Sequence, residues 1–296
     1  VKTVTTRASL FAYLGLLRPR QWAKNLLVAA APFAAGVLSS RRVAALVGVG
    51  FVAWVLVAGG GYVLNDLRDV AADRRHPRKR NRPLAAGRVA PDRALLLGVG
   101  CVAAGLGVGV VAAGAGFAAL LAGYVALTVA YSWGLKQVAL LDVAVIAVGF
   151  VLRAVSGGVL VGVPISGWFL LVVAAGAVFV AAGKRHGERA ELGAGGGGHR
   201  AALDGYPAGF LETLVVVAAA VMALGYAGWA FAGPGRVAGV WPSVSVVPFL
   251  LVVGRYSRLV FAGRGGEPEA LFLTDRTLQG LLVAWAALLA LGLGVA

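Results

Sequence analysis

The sequence is short of charge, and shortest of negative charge. Charged residues occupy 13% of its 296 positions, and 12 Asp and Glu stand against 27 Lys and Arg. Soluble domains carry about 25% charged side chains, so a water-exposed surface of ordinary composition is excluded. A single cysteine, Cys101, removes any disulfide framework; lying in an apolar run, it reads as a small buried residue and not as a reactive or metal-binding thiol. The three histidines, His76, His186 and His199, lack metal-ligand spacing, so zinc is not indicated. No Ser or Cys triad is visible, and the many GxxxG-like patterns lie inside apolar runs, where small residues mean helix contact and not nucleotide binding. What is present is apolar: 60% hydrophobic side chains and 44 glycines, which exclude disorder by low hydrophobicity and permit close helix packing.

Uncharged runs long enough to cross about 30 Å of hydrocarbon as helix recur along the whole chain. Nine are expected, at roughly 22–39, 43–64, 94–111, 117–135, 138–163, 165–183, 213–231, 237–254 and 278–296. The expected fold class is therefore all-α, a polytopic membrane protein with nine transmembrane helices in one integral membrane domain over 1–296. The first span needs Trp22 and Lys24 at headgroup level, where an aromatic ring and a snorkelling amine are at home. Residues 8–17, ASLFAYLGLL, are too short to span, and no small-residue cleavage site follows them. They are expected to form an interfacial helix and not a signal peptide.

Loops that stay in the cytoplasm collect Lys and Arg, which orients the spans. With the N-terminus inside, 23 of the 27 basic residues fall on the inner side; Arg41, Arg42 and Arg236 fall outside, and Arg153 lies within a span. The cytoplasmic connections are then expected at about 65–93, 131–142, 184–206 and 255–276, in a multi-pass protein of the plasma (inner) membrane. Much of the +15 net charge is thus topological. Nucleic-acid binding loses its support, because no soluble basic domain is there to perform it.

With acids so scarce, their placement is informative. Asn65, Asp66, Asp69 and Asp73 close the second span, and on a helix they fall within one arc of about 100°. Three carboxylates on one face repel unless a cation bridges them, and an all-oxygen set suits Mg²⁺, which keeps waters and shares itself with substrate phosphates. A solvated helix end is the plainer alternative. Downstream runs Arg74, Arg75, His76, Pro77, Arg78, Lys79, Arg80, Asn81, Arg82 and Pro83. Loop topology explains its sign but not its density beside three acids. Carboxylate-bound Mg²⁺ next to a basic loop is suited to holding and expelling diphosphate.

Other polar residues fall on the same side. Tyr131, Ser132 and Lys136 end the fourth span. Asp142 and Arg153 share a face of the fifth, but about 16 Å of helix axis separates them, so each needs another partner. The sixth-to-seventh connection supplies Lys184, Arg185, Glu188 and Glu191, then the glycine-rich stretch 193–198, which suits a pliant linker more than a lid.

The segment NDLRDVAAD at 65–73 resembles the NDxxDxxxD signature of the UbiA superfamily of intramembrane prenyltransferases, whose nine-helix fold agrees with the expected spans. Members usually carry a second motif, DxxxD, after the sixth helix; here that place reads KRHGERAEL. RPRQWAKN at 18–25, DRRHPRKRNRP at 73–83, YSWGLK at 131–136, LDVAVIAVGFVLRAVSG at 141–157, GKRHGE at 183–188 and PEALFLTDR at 268–276 are similar to a narrower branch, the actinobacterial decaprenyl-phosphate phosphoribosyltransferases of cell-wall arabinan synthesis. This resemblance spans nearly the full chain. It implies transfer of 5-phosphoribosyl from phosphoribosyl pyrophosphate to a polyprenyl phosphate, with loss of diphosphate. It also implies a Mg²⁺-diphosphate face of Asn65, Asp66, Asp69 and Asp73, with Arg74, His76, Lys79 and Arg82 at phosphates. Lys24, Tyr131, Lys136, Asp142 and Arg153 would line the pocket, with Asp142 at a ribose hydroxyl. Apart from the resemblance, the absence of the second DxxxD motif leaves Lys184 and Arg185, beside Glu188, as the expected partners of the sugar 5-phosphate. Two other readings stay open: an aromatic prenyltransferase using a prenyl diphosphate, and a transporter. The latter predicts inverted repeats and midplane acids, neither of which is visible. A homo-oligomer is compatible with the sequence.

Overall fold

The computed structural model describes residues 10–75, 77, 79–192, 205–232 and 240–294. His76 and the 193–198 stretch lie outside the described residues. Among the described residues every regular element is helical. After α1 (Leu10–Leu16) come a 3₁₀ segment (Pro19–Ala29), α2 (Ala30–Ala34), α3 (Arg41–Arg75), α4 (Pro91–Trp133), α5 (Leu141–Val161) and α6 (Gly167–Leu192). They are followed by α7 (Phe210–Ala232), α8 (Trp241–Phe261), α9 (Pro268–Thr274) and α10 (Arg276–Leu293). Among the described residues, seven helices are long and apolar enough to cross a membrane: α3 to α8 and α10. The fold is that of a multi-pass helical membrane protein.

Seven differs from the nine spans expected, for two local reasons. The expected third and fourth spans are the two helical arms of α4, counted as one helix although Gly114, at φ 71° and ψ −163°, interrupts it. A Cβ on Gly109 would stand 2.7 Å from Leu121 Cδ1. Twelve residues of straight helix would separate these positions by about 18 Å, so the chain doubles back at Gly114. The expected first span is instead the 3₁₀ segment and the five-residue α2. Pro32 has no N–H to give the Val28 carbonyl, and its ring obstructs that helical bond. The freed backbone is used in packing: a Cβ on Gly157 of α5 would lie 1.9 Å from the Val28 carbonyl oxygen.

Contacts divide the chain into two compact units, Val1–Leu26 with Gly48–Trp133, and Leu27–Val47 with Gly134–Ala296. In the first unit, Ala12 and Leu16 of α1 pack on Val63, Leu84, Val89 and Ala94, while Leu10 and Phe11 stay exposed. Close approach of α3 and α4 depends on glycine: a Cβ at Gly60 would come 2.6 Å from the Gly98 carbonyl oxygen. In the second unit, α6, α7, α8 and α10 share a core built around Phe179, Met222, Tyr226, Phe249 and Tyr256. Tyr226 is the polar hub there, bonded to Ser245 Oγ (2.7 Å) and accepting from Trp285 Nε1 (2.8 Å). A phenol inside an apolar bundle is thereby satisfied.

Candidate active site

In the first unit, the last three turns of α3 carry Asn65, Asp66, Asp69 and Asp73. Helical phase turns Asp66 and Asp73, seven residues apart, to the protein side, and both are buried, at 2% and 4% exposure. Buried carboxylates need cationic or hydrogen-bonding partners. One nitrogen of Arg82 serves both: Nη1 lies 2.9 Å from Asp66 Oδ1 and 2.7 Å from Asp73 Oδ2. The loop after α3 presents Arg82 because the chain turns tightly there, with the Arg82 N–H bonded to the Lys79 carbonyl at 2.9 Å. Asn65 is fixed from both ends, accepting from Ser132 Oγ (2.8 Å) and donating to Asp69 Oδ2 (3.2 Å).

A second arginine completes the cluster. Arg18 follows α1 in the left-handed region at φ 51°, a strained conformation for a residue with a Cβ. The turn aims its guanidinium at Asp66 Oδ1, 2.5 Å away, with the Tyr62 ring 4.9 Å from its Cζ. Gly15, Arg18, Pro19, Arg20, Gln21, Asp66, Arg82 and Pro83 line a crevice of about 380 Å³. Arg18, Arg20 and Gln21 were not singled out as site residues from the sequence. The available signal was the RPR triplet beside a motif already noted, but its role depends on a turn at Arg18 that composition does not reveal.

The remaining expected residues of this unit that the structure describes are not among those lining the crevice. Lys24 reaches toward Gln21 Oε1 at 3.4 Å. Arg74 is exposed and donates to the Ala85 carbonyl, and Lys79 lies in the short 3₁₀ turn Lys79–Asn81. Tyr131 sits half-buried in the last turn of α4, next to Ser132.

The second unit holds a separate cluster. Asp142 opens α5 with no exposure, and Arg185 of α6, 1% exposed, binds it side-on: Nη2 donates to Oδ1 at 2.8 Å and Nε pairs with Oδ2. Arg185 Nη1 also pairs with Glu188. Asp142 therefore finds its partner on another helix, as its distance from Arg153 requires. Arg153, also buried, donates to the Gly149 carbonyl one turn back at 2.7 Å. Lys184, beside Arg185, is half-buried, as is Lys136 in the 3₁₀ turn Leu135–Gln137. Glycines press this stretch of α6 onto the turn Arg264–Gly266: a Cβ on Gly187 would lie 2.2 Å from the Gly266 nitrogen.

The residues fit a magnesium ion in one respect that the geometry supports. Two buried carboxylate oxygens converge on a single cationic point, presently the Nη1 of Arg82. Magnesium is commonly held by one or two carboxylates together with substrate phosphates and waters. Among the described residues no three Asp, Glu, His or Cys side chains gather into a closed cage.

Fold and cluster together define a class: a polytopic helical membrane protein whose long third helix ends in buried carboxylates faced by arginines. Residues 25–281 match the UbiA prenyltransferase family, and the chain belongs to that family. It is 40% identical to the decaprenyl-phosphate phosphoribosyltransferase of Mycolicibacterium smegmatis, over 91% of this chain and 88% of the relative. The proteins of the same name from Corynebacterium glutamicum and Mycobacterium tuberculosis are 38% and 40% identical, covering 91% and 92% of this chain and 82% and 90% of theirs. The fold is shared with a UbiA homolog from Archaeoglobus fulgidus solved bound to GPP and Mg²⁺, at 20% identity and TM-score 0.72 over 96% of this chain and 99% of that one.

Proposed function

We propose that this protein transfers the 5-phosphoribosyl group of phosphoribosyl pyrophosphate to the phosphate of a polyprenyl lipid, releasing diphosphate. The observation that carries the reading is near-full-length identity of 38–40% with three decaprenyl-phosphate phosphoribosyltransferases. The site chemistry supports it. Breaking the C1–O bond leaves negative charge on diphosphate, and preorganised cations are the main means of stabilising such charge.

Asp66 and Asp73 would hold Mg²⁺, with Asn65 and Asp69 orienting them from the same helix face. When bound, the ion supplies Lewis-acid stabilisation of the leaving diphosphate. Arg18, Arg20 and Arg82 serve the diphosphate oxygens, since guanidinium forks match phosphate geometry. Arg82 then exchanges carboxylate partners for phosphate ones. Arg74 and Lys79 add positive potential next to α3, and His76, which lies outside the described residues, is assigned to the same phosphates. Lys24, Tyr131, Lys136 and Arg153 serve the lipid phosphate and its entry. That phosphate is anionic near neutral pH, so it attacks C1 without a general base. In the second unit, Asp142 and Glu188 immobilise Arg185 and thereby fix the turn bearing Lys184, which we assign to the donor's 5-phosphate. The site lies at the cytoplasmic face of the plasma membrane.

The test is transfer of radiolabel from phosphoribosyl pyrophosphate to decaprenyl phosphate by the purified protein in detergent, with Mg²⁺ and with chelator. A Mg²⁺-dependent lipid product is expected. Absence of product, or turnover of a prenyl diphosphate with an aromatic acceptor instead, overturns the reading.

A further inference from the structure

We infer that Tyr206 is a positioning residue: its hydroxyl pins a strained turn at Leu140, and that turn aims Asp142 at Arg185. This rests on the proposal that Asp142 and Arg185 serve the donor end of the reaction.

Leu140 has φ 70° and ψ −52°, and the Leu141 N–H bonds back to the Ala139 carbonyl at 2.9 Å. This is the rarer, strained form of the γ-turn, which a side chain with a Cβ disfavours. Nothing about the leucine side chain compensates, since it is 56% exposed. The turn is instead held through its backbone. The Leu140 N–H donates to the Tyr206 hydroxyl at 3.1 Å, and the Leu140 carbonyl accepts from Ala144 at 2.8 Å, starting α5.

Two residues beyond the turn stands Asp142, fully buried and locked to Arg185. A helix start without the γ-turn would change the rotational phase of α5 and carry this carboxylate away from the α6 guanidinium. Tyr206 is well placed for the task. It is buried with Val143, Ala181 and Leu211, and it stacks on Phe210 at 5.9 Å between ring centres. Burial pushes its hydroxyl above the ordinary phenol range, which keeps it protonated. The ring's packing and the hydroxyl's bond are therefore separable by Tyr206→Phe.

The experiment compares the full-length wild type, Tyr206→Phe, Leu140→Gly and the double variant, all purified in detergent. Glycine adopts φ near +70° freely, so it removes the strain that the hydroxyl opposes. Tyr206→Phe is expected to raise the donor KM by about tenfold, with kcat and the lipid KM within about twofold. Leu140→Gly alone is expected to be near wild type, and the double variant to recover most of the donor affinity. Melting temperature should follow the same order. An unchanged donor KM in Tyr206→Phe overturns the inference, as does a double variant no better than Tyr206→Phe. If the wild type makes no phosphoribosyl lipid at all, the proposed function fails, and the melting temperatures alone decide the brace: recovery in the double variant upholds it and no recovery overturns it.

Discussion

At the scale of single residues, the acid arc of α3 is a set of unequal members. Asp66 and Asp73 are buried and share one guanidinium nitrogen, whereas Asn65 donates to Asp69 and accepts from Ser132. Asp73→Asn keeps the shape and one acceptor oxygen but removes the charge. It is expected to lower kcat by about 10²-fold or more, the scale seen when a preorganised electrostatic partner is lost. The variant should elute as a monodisperse species in size-exclusion chromatography; a near-normal rate would show that the metal face is misassigned. Lys184→Ala tests the other phosphate. Loss of one charge-assisted contact should raise the donor KM about tenfold while the lipid KM stays nearly constant. The opposite pattern in steady-state kinetics would mean that the donor and acceptor phosphates have been exchanged.

At the scale of elements, glycines decide which helix turns can touch. On α6, Gly183 and Gly187 flank the Lys184–Arg185 pair and let the turn Arg264–Gly266 close against it; a Cβ on Gly265 would meet the Gly183 carbonyl oxygen at 2.4 Å. At Gly187 and Gly265 the obstacle is backbone, which cannot rotate away. Gly187→Ala is therefore expected to lower stability by about 1–3 kcal/mol, the usual range for overpacking. Gly254→Ala, where a Cβ meets nothing within 4 Å, should be close to neutral. A thermal-shift comparison of the two in detergent checks this, and equal melting temperatures would contradict it.

At the scale of the whole molecule, orientation follows from charge. Arg41, at the start of α3, and Arg264, between α8 and α9, are expected on opposite sides, Arg41 outside and Arg264 inside. In a Cys101→Ser background, a cysteine at position 41 should react with an impermeant maleimide added to intact cells, and one at 264 should react only after lysis. Reversed labelling would invert the topology and move the crevice to the outer face.

The sequence alone was enough for the class of fold, because apolar runs without charge can rest only in lipid and must there satisfy their backbone as helix. It also located the Asn65–Asp73 arc, since helical phase is local and needs only the order of residues. It missed the 3₁₀ geometry of Pro19–Ala29 in the first expected span and the reversal of the chain at Gly114 between the third and fourth, since hydropathy measures length and polarity but not backbone dihedrals. Partners were beyond it as well. Arg18 reaches Asp66 across 48 positions, and Arg185 reaches Asp142 across 43. Which cation meets which acid is a matter of helix packing and of two strained turns, at Arg18 and Leu140. Residue order gathers the acids of Asn65–Asp73 at one end of α3, but only the folded backbone brings specific pairs within bonding distance, because a charge–charge bond needs a separation of a few ångströms that no spacing along the chain encodes.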